Sequence, residues 1–411
     1  MSRSNRGTGP RAARALDVVV YGASGFVGQQ VVAYLARHAP AGLRWAVAGR
    51  NEAKLRQALA AAQAPEHPVL VAEANDRAAL AALAGQTQVV LSLAGPYALY
   101  GSALVAACVA HGTHYVDITG ETPWVRDQID LHHERAAAEG IRIVPCCGFD
   151  SCPSDLGAML VVQAMRQRHQ AEVAQIKASH AIKGGVNGGT IASMVRMLEA
   201  GQEKRLLDPF LLNPAGTAPA DTAAHDDPFA PHHDDDFDAW LGPFVMGPIN
   251  TRVVRRSAAL LGYGPAFCYQ EYMRFGRGPA AAVAAAGFSA ASVTGQGMMK
   301  VSPMRKLITS LASLGPAPGQ GPSVEAMDGG FFRCDLIGRN ASGQTVRAQV
   351  SDQGDPGNRA TTKFVCESAL ALVLDADQLP DRAGVLTPAS AFGDVLVERL
   401  RAAGMTLRTE P

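Results

Sequence analysis

A glycine-rich turn near the start of the chain has a residue spacing that indicates its chemistry. Gly22, Gly25 and Gly28 follow the apolar run DVVVY at 17–21, and apolar residues at helical spacing continue up to His38. Glycines let a backbone approach a diphosphate, whose charge rests on the N-terminus of the next helix. Strand, glycine turn and helix in this order predict a dinucleotide site. The residues expected to line it are Gly22, Ala23, Ser24, Gly25, Phe26, Val27 and Gly28.

The end of the second predicted strand indicates which dinucleotide binds. An NAD site usually has an acidic residue about 20 residues after the glycines, where it binds the ribose hydroxyls. The segment 43–50 has no Asp or Glu; it ends in Gly49 and Arg50, with Lys54 one helical turn later. A guanidinium can pair with a 2′-phosphate through two N–H groups. We therefore predict NADP(H), with a solvated charge at a helix start as the alternative role of Arg50.

Two later segments are expected beside the nicotinamide. The loop Ala94–Gly101 and the turn Cys147–Ser151 both follow predicted strands. Ligands of an open parallel sheet bind outside the carboxyl ends of its strands. These segments, with the end of the second strand, add Gly49, Arg50, Lys54, Ala94, Gly95, Pro96 and Gly148 to the predicted cofactor-binding residues.

The same segments supply candidate catalytic residues. Hydride transfer leaves charge on the substrate, which a hydroxyl, an acid or a backbone donor has to stabilise or neutralise. Tyr97 and Tyr100 are the first candidates, followed by Asp150 with Ser151, and then by Lys183 in a glycine-rich segment before a predicted helix. Each has a structural alternative, such as packing of Tyr97 against the cofactor or a simple turn after Lys183. The chain has no Ser/Tyr/Lys triad at the spacing of short-chain reductases.

The elements that position these residues alternate between strands and helices. Six predicted strands with helices between them indicate an α/β fold with a Rossmann-type doubly wound parallel sheet. Later strands at 331–337 and 345–350 indicate a second α+β domain with a mostly antiparallel sheet. The expected organisation is a disordered leader at 1–15, a nucleotide-binding domain of 16–169 with 353–411, and a substrate domain of 170–352 with a mobile loop at 214–248.

Composition excludes several classes of protein. Among 411 residues, 37 Lys and Arg balance 37 Asp and Glu, which argues against a nucleic-acid partner. Seven cysteines fit a reducing compartment, so we predict a cytoplasmic protein. The uncharged run 278–299 is predicted as a buried helix plus loop, because it is too rich in Ala, Gly, Ser and Thr for a transmembrane segment. The clustered His and Asp residues are assigned to the loop at 214–248, and the cysteines are assigned to buried thiols. No metal site is therefore predicted.

One basic cluster is a candidate surface for a partner. Arg252, Arg255 and Arg256 precede Arg274 and Arg277 on the next predicted strand. Guanidinium groups in this arrangement can meet an acyl-carrier protein or the phosphates of coenzyme A. Ordinary surface charge is the alternative.

Several stretches together resemble the saccharopine dehydrogenase-like oxidoreductases. They are YGASGFVG at 21–28, AGR at 48–50, LAGPYALYG at 93–101, HYVDITGE at 114–121, CGFDSCPSDLG at 147–157, and the helical segments 354–372 and 384–400. Within that family, the segment 242–264 is most similar to the trans-acting enoyl reductases of bacterial lipid biosynthesis. Two positions depart from the family pattern, Cys152 in place of an aliphatic residue and Asn358 in place of an aromatic one.

The resemblance covers roughly residues 16–405 and implies an NADPH-dependent reductase. Its expected substrate is an enoyl or related lipid-type acyl intermediate, free or carrier-bound, with an acyl-carrier protein and a second copy of the chain as candidate partners. A saccharopine-type oxidoreductase that reduces an imine of an amino acid and a non-catalytic NADP(H)-binding protein are the alternatives.

Overall fold

A computed structural model describes residues 14–185, 188, 193, 203–299 and 319–410. This part of the chain divides into two compact units. The first unit consists of the residues up to Thr119 together with Trp124–Gly148 and Thr361–Arg399. The second unit consists of Gly120–Pro123, Phe149–Ala360 and the residues from Leu400 onwards.

Strands and helices alternate through most of the described chain. The strands are β1 (Leu16–Tyr21), β2 (Trp45–Gly49), β3 (Val69–Val71), β4 (Thr87–Ser92), β5 (His114–Asp117), β6 (Arg142–Val144), β7 (Gln175–Lys183), β8 (His232–Asp234), β9 (Ala239–Pro243), β10 (Cys268–Gly276), β11 (Phe331–Arg339), β12 (Thr345–Gln353), β13 (Gly384–Val385) and β14 (Thr406–Thr409). The helices are α1 (Phe26–His38), α2 (Glu52–Ala61), α3 (Arg77–Gln86), α4 (Tyr97–Tyr100), α5 (Ser102–His111), α6 (Thr122–Ala138), α7 (Cys152–His169), α8 (Glu203–Leu206), α9 (Gly247–Leu261), α10 (Gly278–Met299), α11 (Val324–Asp328), α12 (Thr361–Leu374), α13 (Pro388–Phe392) and α14 (Asp394–Ala402).

The first unit is built on a seven-stranded parallel sheet in the order β13–β6–β5–β4–β1–β2–β3. The order reverses at β1, because β2 and β3 extend the sheet on one side and β4, β5 and β6 on the other. All six residues of β1 are buried, which explains its largely β-branched composition. The predicted Rossmann-type sheet is confirmed, and its switch point lies at β1, where such sheets bind ligands.

Local sequence explains where the helices of this sheet begin. On α1, Val27, Val31 and Leu35 recur at intervals of four and are buried. The side chain of Asn51 accepts a hydrogen bond from the backbone of Lys54 at the start of α2, and Asp76 caps α3 in the same way. Each cap satisfies a backbone N–H that the helix itself leaves without a partner.

The second unit is built on a mixed seven-stranded sheet in the order β14–β12–β11–β7–β10–β9–β8. All its neighbouring strands are antiparallel except β7 and β10, which run parallel. The predicted second domain with a mostly antiparallel sheet is therefore confirmed as a fold.

The units differ from the predicted domain boundaries at α7 and β14, which the sequence analysis placed in the nucleotide-binding domain. Both lie in the second unit. On α7, a Cβ atom added to Gly157 would lie 2.6 Å from Leu336 Cδ1, so this face of the helix fits closely against β11. β14 pairs antiparallel with β12. These are contacts across long sequence separations, which a pattern of strands and helices does not reveal.

The segment 214–248, which we predicted as a mobile loop, is not a loop throughout, and its mobility stays a prediction. It contains β8 and β9, which pair with each other at the edge of the sheet. Lys177 Nζ donates to Asp234 Oδ2 at 2.6 Å and lies 2.5 Å from Asp236 Oδ2. The acidic residues therefore neutralise a lysine on β7. Among the described residues, no group of three or more His, Cys, Asp or Glu side chains is arranged to hold a metal ion.

Two further expectations are corrected by the structure. Residues 1–13 of the predicted leader lie outside the described residues, but Arg14 is ordered, because its guanidinium donates to Thr113 and its carbonyl accepts from Arg44 Nη1 at 2.6 Å. The run 278–299 is one continuous helix, α10, rather than a helix plus loop. It buries Ala281, Ala285 and Ser289 along one face. No helix in the described part of the chain is long and apolar enough to cross a membrane.

Candidate functional site

The glycine turn after β1 has the close backbone approach that a diphosphate requires. Gly22 has φ +85°, in the left-handed region that favours glycine, and a Cβ there would lie 2.9 Å from Ala94 N. The N–H of Gly22 donates to Ala48 O at 2.8 Å, and that of Gly25 donates to Gly22 O at 3.0 Å. The turn is thus bonded to β2 and lies directly against the residue Ala94 after β4.

Gly28 allows α1 to approach this turn. A Cβ atom on Gly28 would lie 2.3 Å from Gly22 O and 2.7 Å from the carbonyl carbon of Ala23, and both are backbone atoms that no side-chain rotation can move. The first turn of α1 contains no acidic residue, and Gly25 offers it no side-chain cap. Its first N–H groups and its dipole therefore suit an anionic ligand. The chain fits the diphosphate of a dinucleotide at this position.

The end of β2 presents Arg50 to solvent. Arg50 is exposed and forms no hydrogen bond or ion pair within the described part of the chain. The phenol of Tyr21, at the end of β1, senses this charge: its pKa is raised to about 12, first by burial and then by Glu73, while the nearby Arg50 acts in the opposite direction. Arg50 is thus close to the carboxyl end of β1 and free to meet a phosphate. Lys54 is also exposed, in the first turn of α2.

Arg50→Ala is expected to weaken NADPH binding by roughly 10- to 100-fold and to leave NADH binding within about twofold, because only NADPH carries the 2′-phosphate. The measurement is a fluorescence titration of both cofactors. Arg56→Ala is the control, since Arg56 is exposed on α2 and pairs with Glu52. Equal losses of NADPH and NADH affinity would contradict the assignment of Arg50.

The loop after β4 separates the two candidate tyrosines. Tyr97 is buried, and its hydroxyl donates to Ser92 O at 3.1 Å and lies 3.4 Å from the N–H of Ile118. Tyr100, at the other end of α4, is 42% exposed. The hydroxyl of Tyr97 therefore joins the ends of β4 and β5, a structural role that spacing alone does not reveal. Ala94, Gly95 and Pro96 lead into α4 from the carboxyl end of β4.

Asp117 is an organising residue that the sequence analysis did not single out. Its side chain is fully buried, and its Oδ1 accepts from the backbone of Thr119 at 2.9 Å and of Cys146 at 3.1 Å. Its Oδ2 accepts from the hydroxyl of Tyr115 at 2.9 Å. It thus holds the turn after β6, which contains Gly148, against the end of β5. Its position at a strand end within HYVDITGE was the available signal.

Asp150 lies two residues after Gly148 and belongs to the second unit. It is partly buried, and a Cβ on Gly120 would lie 3.6 Å from Asp150 Oδ2 and 3.2 Å from Ile249 Cδ1. Met246 Cε approaches the same point at 4.0 Å. Burial raises the pKa of the Asp150 carboxyl to about 6. A carboxyl that titrates near neutrality suits general acid catalysis.

Lys183 is exposed at the end of β7, and the structure describes no contact between it and Asp150. A Cβ on Gly184 would lie 2.7 Å from Pro356 Cδ, and one on Gly185 would lie 2.8 Å from Pro322 Cβ. These glycines therefore allow the chain to pack closely against two proline rings, which favours the plain-turn alternative. Asn187, which the sequence groups with Lys183, lies outside the described residues.

The predicted basic surface is wrong for three of its five arginines. Arg252, Arg255 and Arg256 are each at most 2% exposed. Their guanidinium groups donate hydrogen bonds to backbone carbonyls. Arg252 donates to Leu206 and Asp208, Arg255 donates to Pro209, His225 and Tyr269, and Arg256 donates to Leu212. They therefore anchor the segment before β8. The other two arginines of the cluster pair with Asp335 and Asp238.

Comparison with known proteins agrees with this geometry. Residues 18–144 match the family model of the saccharopine dehydrogenase NADP-binding domain. A trans-acting enoyl reductase of Mycobacterium ulcerans is 36% identical over 96% of this chain and 98% of its own, and one of Mycobacterium bovis is 36% identical over 97% and 98%. A Mycobacterium tuberculosis protein that carries this name with a provisional qualifier is 40% identical, over 96% of this chain and 98% of its own.

A solved structure shows the same fold. The apo saccharopine dehydrogenase (L-Glu-forming) of Saccharomyces cerevisiae superposes with a TM-score of 0.54 at 15% identity, and the match covers 96% of this chain and 99% of the yeast enzyme. The resemblance seen in the sequence is confirmed, as is NADP(H) as the cofactor. The chain therefore belongs to the saccharopine dehydrogenase-like family, in its trans-acting enoyl reductase branch, and is an NADP-dependent oxidoreductase.

Proposed function

We propose that this protein reduces the carbon–carbon double bond of an enoyl thioester, a lipid-type acyl intermediate carried by a separate acyl-carrier protein. The observation that carries this proposal is the similarity to relatives named trans-acting enoyl reductase, which spans 96–97% of the chain and therefore both units. The similarity to the yeast saccharopine dehydrogenase concerns the fold and does not favour an amino-acid substrate.

The reaction sets two requirements for the chain. NADPH, when bound, supplies a hydride to the β-carbon of the enoyl group. Negative charge then develops on the thioester oxygen, where hydrogen-bond donors stabilise it, and the α-carbon requires a proton. The chain therefore needs a cofactor site at the glycine turn, with the diphosphate at Gly22–Gly28, the 2′-phosphate at Arg50 and Lys54 beside it, and an acid that is protonated near neutral pH.

Asp150 is the acid that we propose. Its raised pKa keeps much of the carboxyl protonated at the pH at which most unperturbed aspartates are ionised. It lies two residues after Gly148, within the turn Cys147–Ser151 that is predicted beside the nicotinamide. Tyr100 is the second candidate because its side chain is partly exposed. Tyr97 and Lys183 rank below them, since the hydroxyl of Tyr97 already bonds to the backbone.

Asp150→Asn is expected to lower kcat by roughly 100-fold or more while NADPH binding stays unchanged. In the natural protein kcat should fall as the pH rises through about 6, since the acid loses its proton. The same substitution should stabilise the protein. The folded-state pKa lies above the unfolded value of 3.8, so the ionised carboxyl penalises the folded state increasingly between pH 4 and 6.

The expected gain from Asp150→Asn is roughly 1–3 kcal/mol at pH 7.5 and close to zero at pH 4. Urea denaturation at both pH values measures it. Asp130→Asn is the control, because Asp130 is exposed on α6 and should show neither the gain nor the loss of activity. An Asp150→Asn variant that keeps full activity would remove Asp150 from the mechanism.

The function itself is tested by NADPH consumption with a panel of substrates. The panel contains 2-enoyl thioesters of coenzyme A and of acyl-carrier protein, together with pairs of amino acids and aldehydes that form imines. With deuterated NADPH, the proposal expects one deuterium on the β-carbon of the saturated product, and faster turnover of the carrier-bound thioester. Turnover of the imine-forming pairs alone would replace the proposal by a saccharopine-type reaction, and NADPH binding without turnover of any thioester would contradict it.

A further inference from the structure

A carboxyl group lies in the core of the second unit. The side chain of Glu271, on β10, is fully buried and accepts hydrogen bonds from Ser154 Oγ at 2.7 Å, Asn250 Nδ2 at 2.8 Å and the hydroxyl of Tyr269 at 2.9 Å. In the described part of the chain no Lys or Arg side chain forms an ion pair with it. A buried carboxyl with neutral partners is costly compared with an apolar residue. This cost suggests a role beyond filling the core.

The partners of Glu271 belong to the first turns of two different helices. Ser154 lies in the first turn of α7, and Asn250 lies in the first turn of α9. The hydroxyl of Ser151, the residue before α7, donates to Asn250 Oδ1 at 3.3 Å. Glu271, Asn250 and the two serines therefore link β10 to both helix starts.

Asp150 lies near the same helix starts. Asp150 precedes Ser151 directly in the chain. A Cβ atom built on Gly120 would lie 3.6 Å from Asp150 Oδ2, 3.2 Å from Ile249 Cδ1 and 4.0 Å from Met246 Cε, so these three side chains meet at Gly120. Asp150 Oδ2 therefore shares the neighbourhood of Gly120 with two apolar side chains from the start of α9, and Asn250, the next residue after Ile249, is the one bound by Glu271.

We propose that Glu271 is a positioning residue for Asp150: through Asn250 and the serines it holds the first turns of α7 and α9 so that the Asp150 carboxyl stays in its apolar surroundings. The proposal rests on the proposed role of Asp150 as the acid. Glu271 would act through these neighbours, without contact with the substrate or the cofactor.

Other titratable groups lie near Glu271 on the strands β7, β10 and β11 and on the helix α9. His180 on β7 has its Nε2 3.5 Å from Glu271 Oε2 and its ring stacked on Phe244 at 4.1 Å. Cys334 on β11 has its sulfur 3.6 Å from His180 Nε2. Burial raises the pKa values of Tyr269 and Cys334 well above their usual range, which keeps both groups neutral. On α9, Glu271 acts in the direction that raises the pKa of Arg255.

The test is a double-mutant cycle that needs no substrate. Asp150→Asn is made in the natural chain and in a Glu271→Ala chain, and the urea midpoint is measured at pH 4 and pH 7.5. In the natural chain Asp150→Asn should raise the midpoint at pH 7.5 only. In the Glu271→Ala background this rise should shrink to less than half, because the freed Asp150 carboxyl reaches solvent.

Three further chains make the outcome decisive. Glu271→Gln keeps an oxygen that accepts from Asn250, so the rise should persist. Asn250→Ala should abolish the rise in the urea midpoint, although the carboxyl of Glu271 keeps two of its three hydrogen-bond donors. This variant replaces Glu271→Ala in the cycle if Glu271→Ala does not fold. Ile337→Ala destabilises the core of the same unit elsewhere and should keep the rise.

The proposal would be overturned if Asp150→Asn raised the urea midpoint equally in the natural and Glu271→Ala chains, or did not raise it in the natural chain. It would also be overturned if the rise disappeared in the Ile337→Ala chain. Because the cycle measures unfolding alone, its result is independent of whether the substrate panel identifies an enoyl thioester.

Discussion

Gly28→Ala is expected to lower the affinity for NADPH by roughly 100-fold or more, about 2.7 kcal/mol of binding free energy. The added methyl group would lie 2.3 Å from Gly22 O and 2.7–2.8 Å from two backbone atoms of Ala23. These atoms cannot rotate away, so either α1 or the glycine turn has to shift. Both form the proposed diphosphate site, where the turn and the helix N-terminus must lie close together. Fluorescence titration with NADPH measures the loss.

Gly287→Ala is the matched control for this experiment. Gly287 also lies within a helix, α10, but a Cβ there would meet no atom within 4 Å, and the residue is exposed. An alanine in this helix should leave NADPH affinity unchanged and stabilise the fold by several tenths of a kcal/mol, since glycine is the poorer helix former. If Gly28→Ala bound NADPH as well as Gly287→Ala does, the glycine turn would not be the cofactor site.

Arg255→Met is expected to have the largest effect on stability, a loss of roughly 4 kcal/mol or more of unfolding free energy in the second unit. Methionine fills part of the same space but leaves the carbonyls of Pro209, His225 and Tyr269 without the donors that Arg255 supplies. Each buried polar group that loses its partner costs about 1–3 kcal/mol, and hydrogen bonds from a charged donor are the stronger ones. Urea denaturation followed by circular dichroism measures the change.

Arg277→Met is the comparison for Arg255→Met. Arg277 is 72% exposed and pairs with Asp238 on the surface, so its removal should cost less than about 1 kcal/mol. Similar losses for the two variants would mean that Arg255 is not the anchor that its hydrogen bonds indicate. The burial of Arg252, Arg255 and Arg256 also means that these arginines are not available to bind an acyl-carrier protein.

The structure of the glycine turn, the proposed cofactor site, was largely predictable from the sequence because its parts are local. β1, the turn and α1 occupy residues 16–38, and their order and glycine spacing already specify a strand, a tight turn and a helix N-terminus. The missing acid and the arginine after β2 likewise lie within about 20 residues of the glycines. In this region hydrophobic period and turn residues determine the structure directly.

The catalytic side was less predictable because burial depends on distant partners. The hydroxyl of Tyr97 looked available as a donor, yet it bonds to Ser92 O and lies near the N–H of Ile118 from another strand. Asp150 was a candidate from its position in the sequence, but the burial that raises its pKa appears only in the tertiary structure. Asp117 received no role at all, although it joins two strand ends.

By itself the sequence determined the fold class, the family resemblance, the NADP(H) cofactor and the position of the glycine turn, because these follow from short-range patterns of glycine, apolar and charged residues. Only the tertiary structure decided which charged and polar groups are buried. Apart from the Tyr269 hydroxyl, which lies two residues from Glu271, the partners of the Arg255 guanidinium and the Glu271 carboxyl are 14 to 117 residues away in the chain. The type of a residue does not indicate which distant residues become its partners. The distances to those partners and the burial of the side chain distinguish a surface charge from an anchor or a catalytic acid.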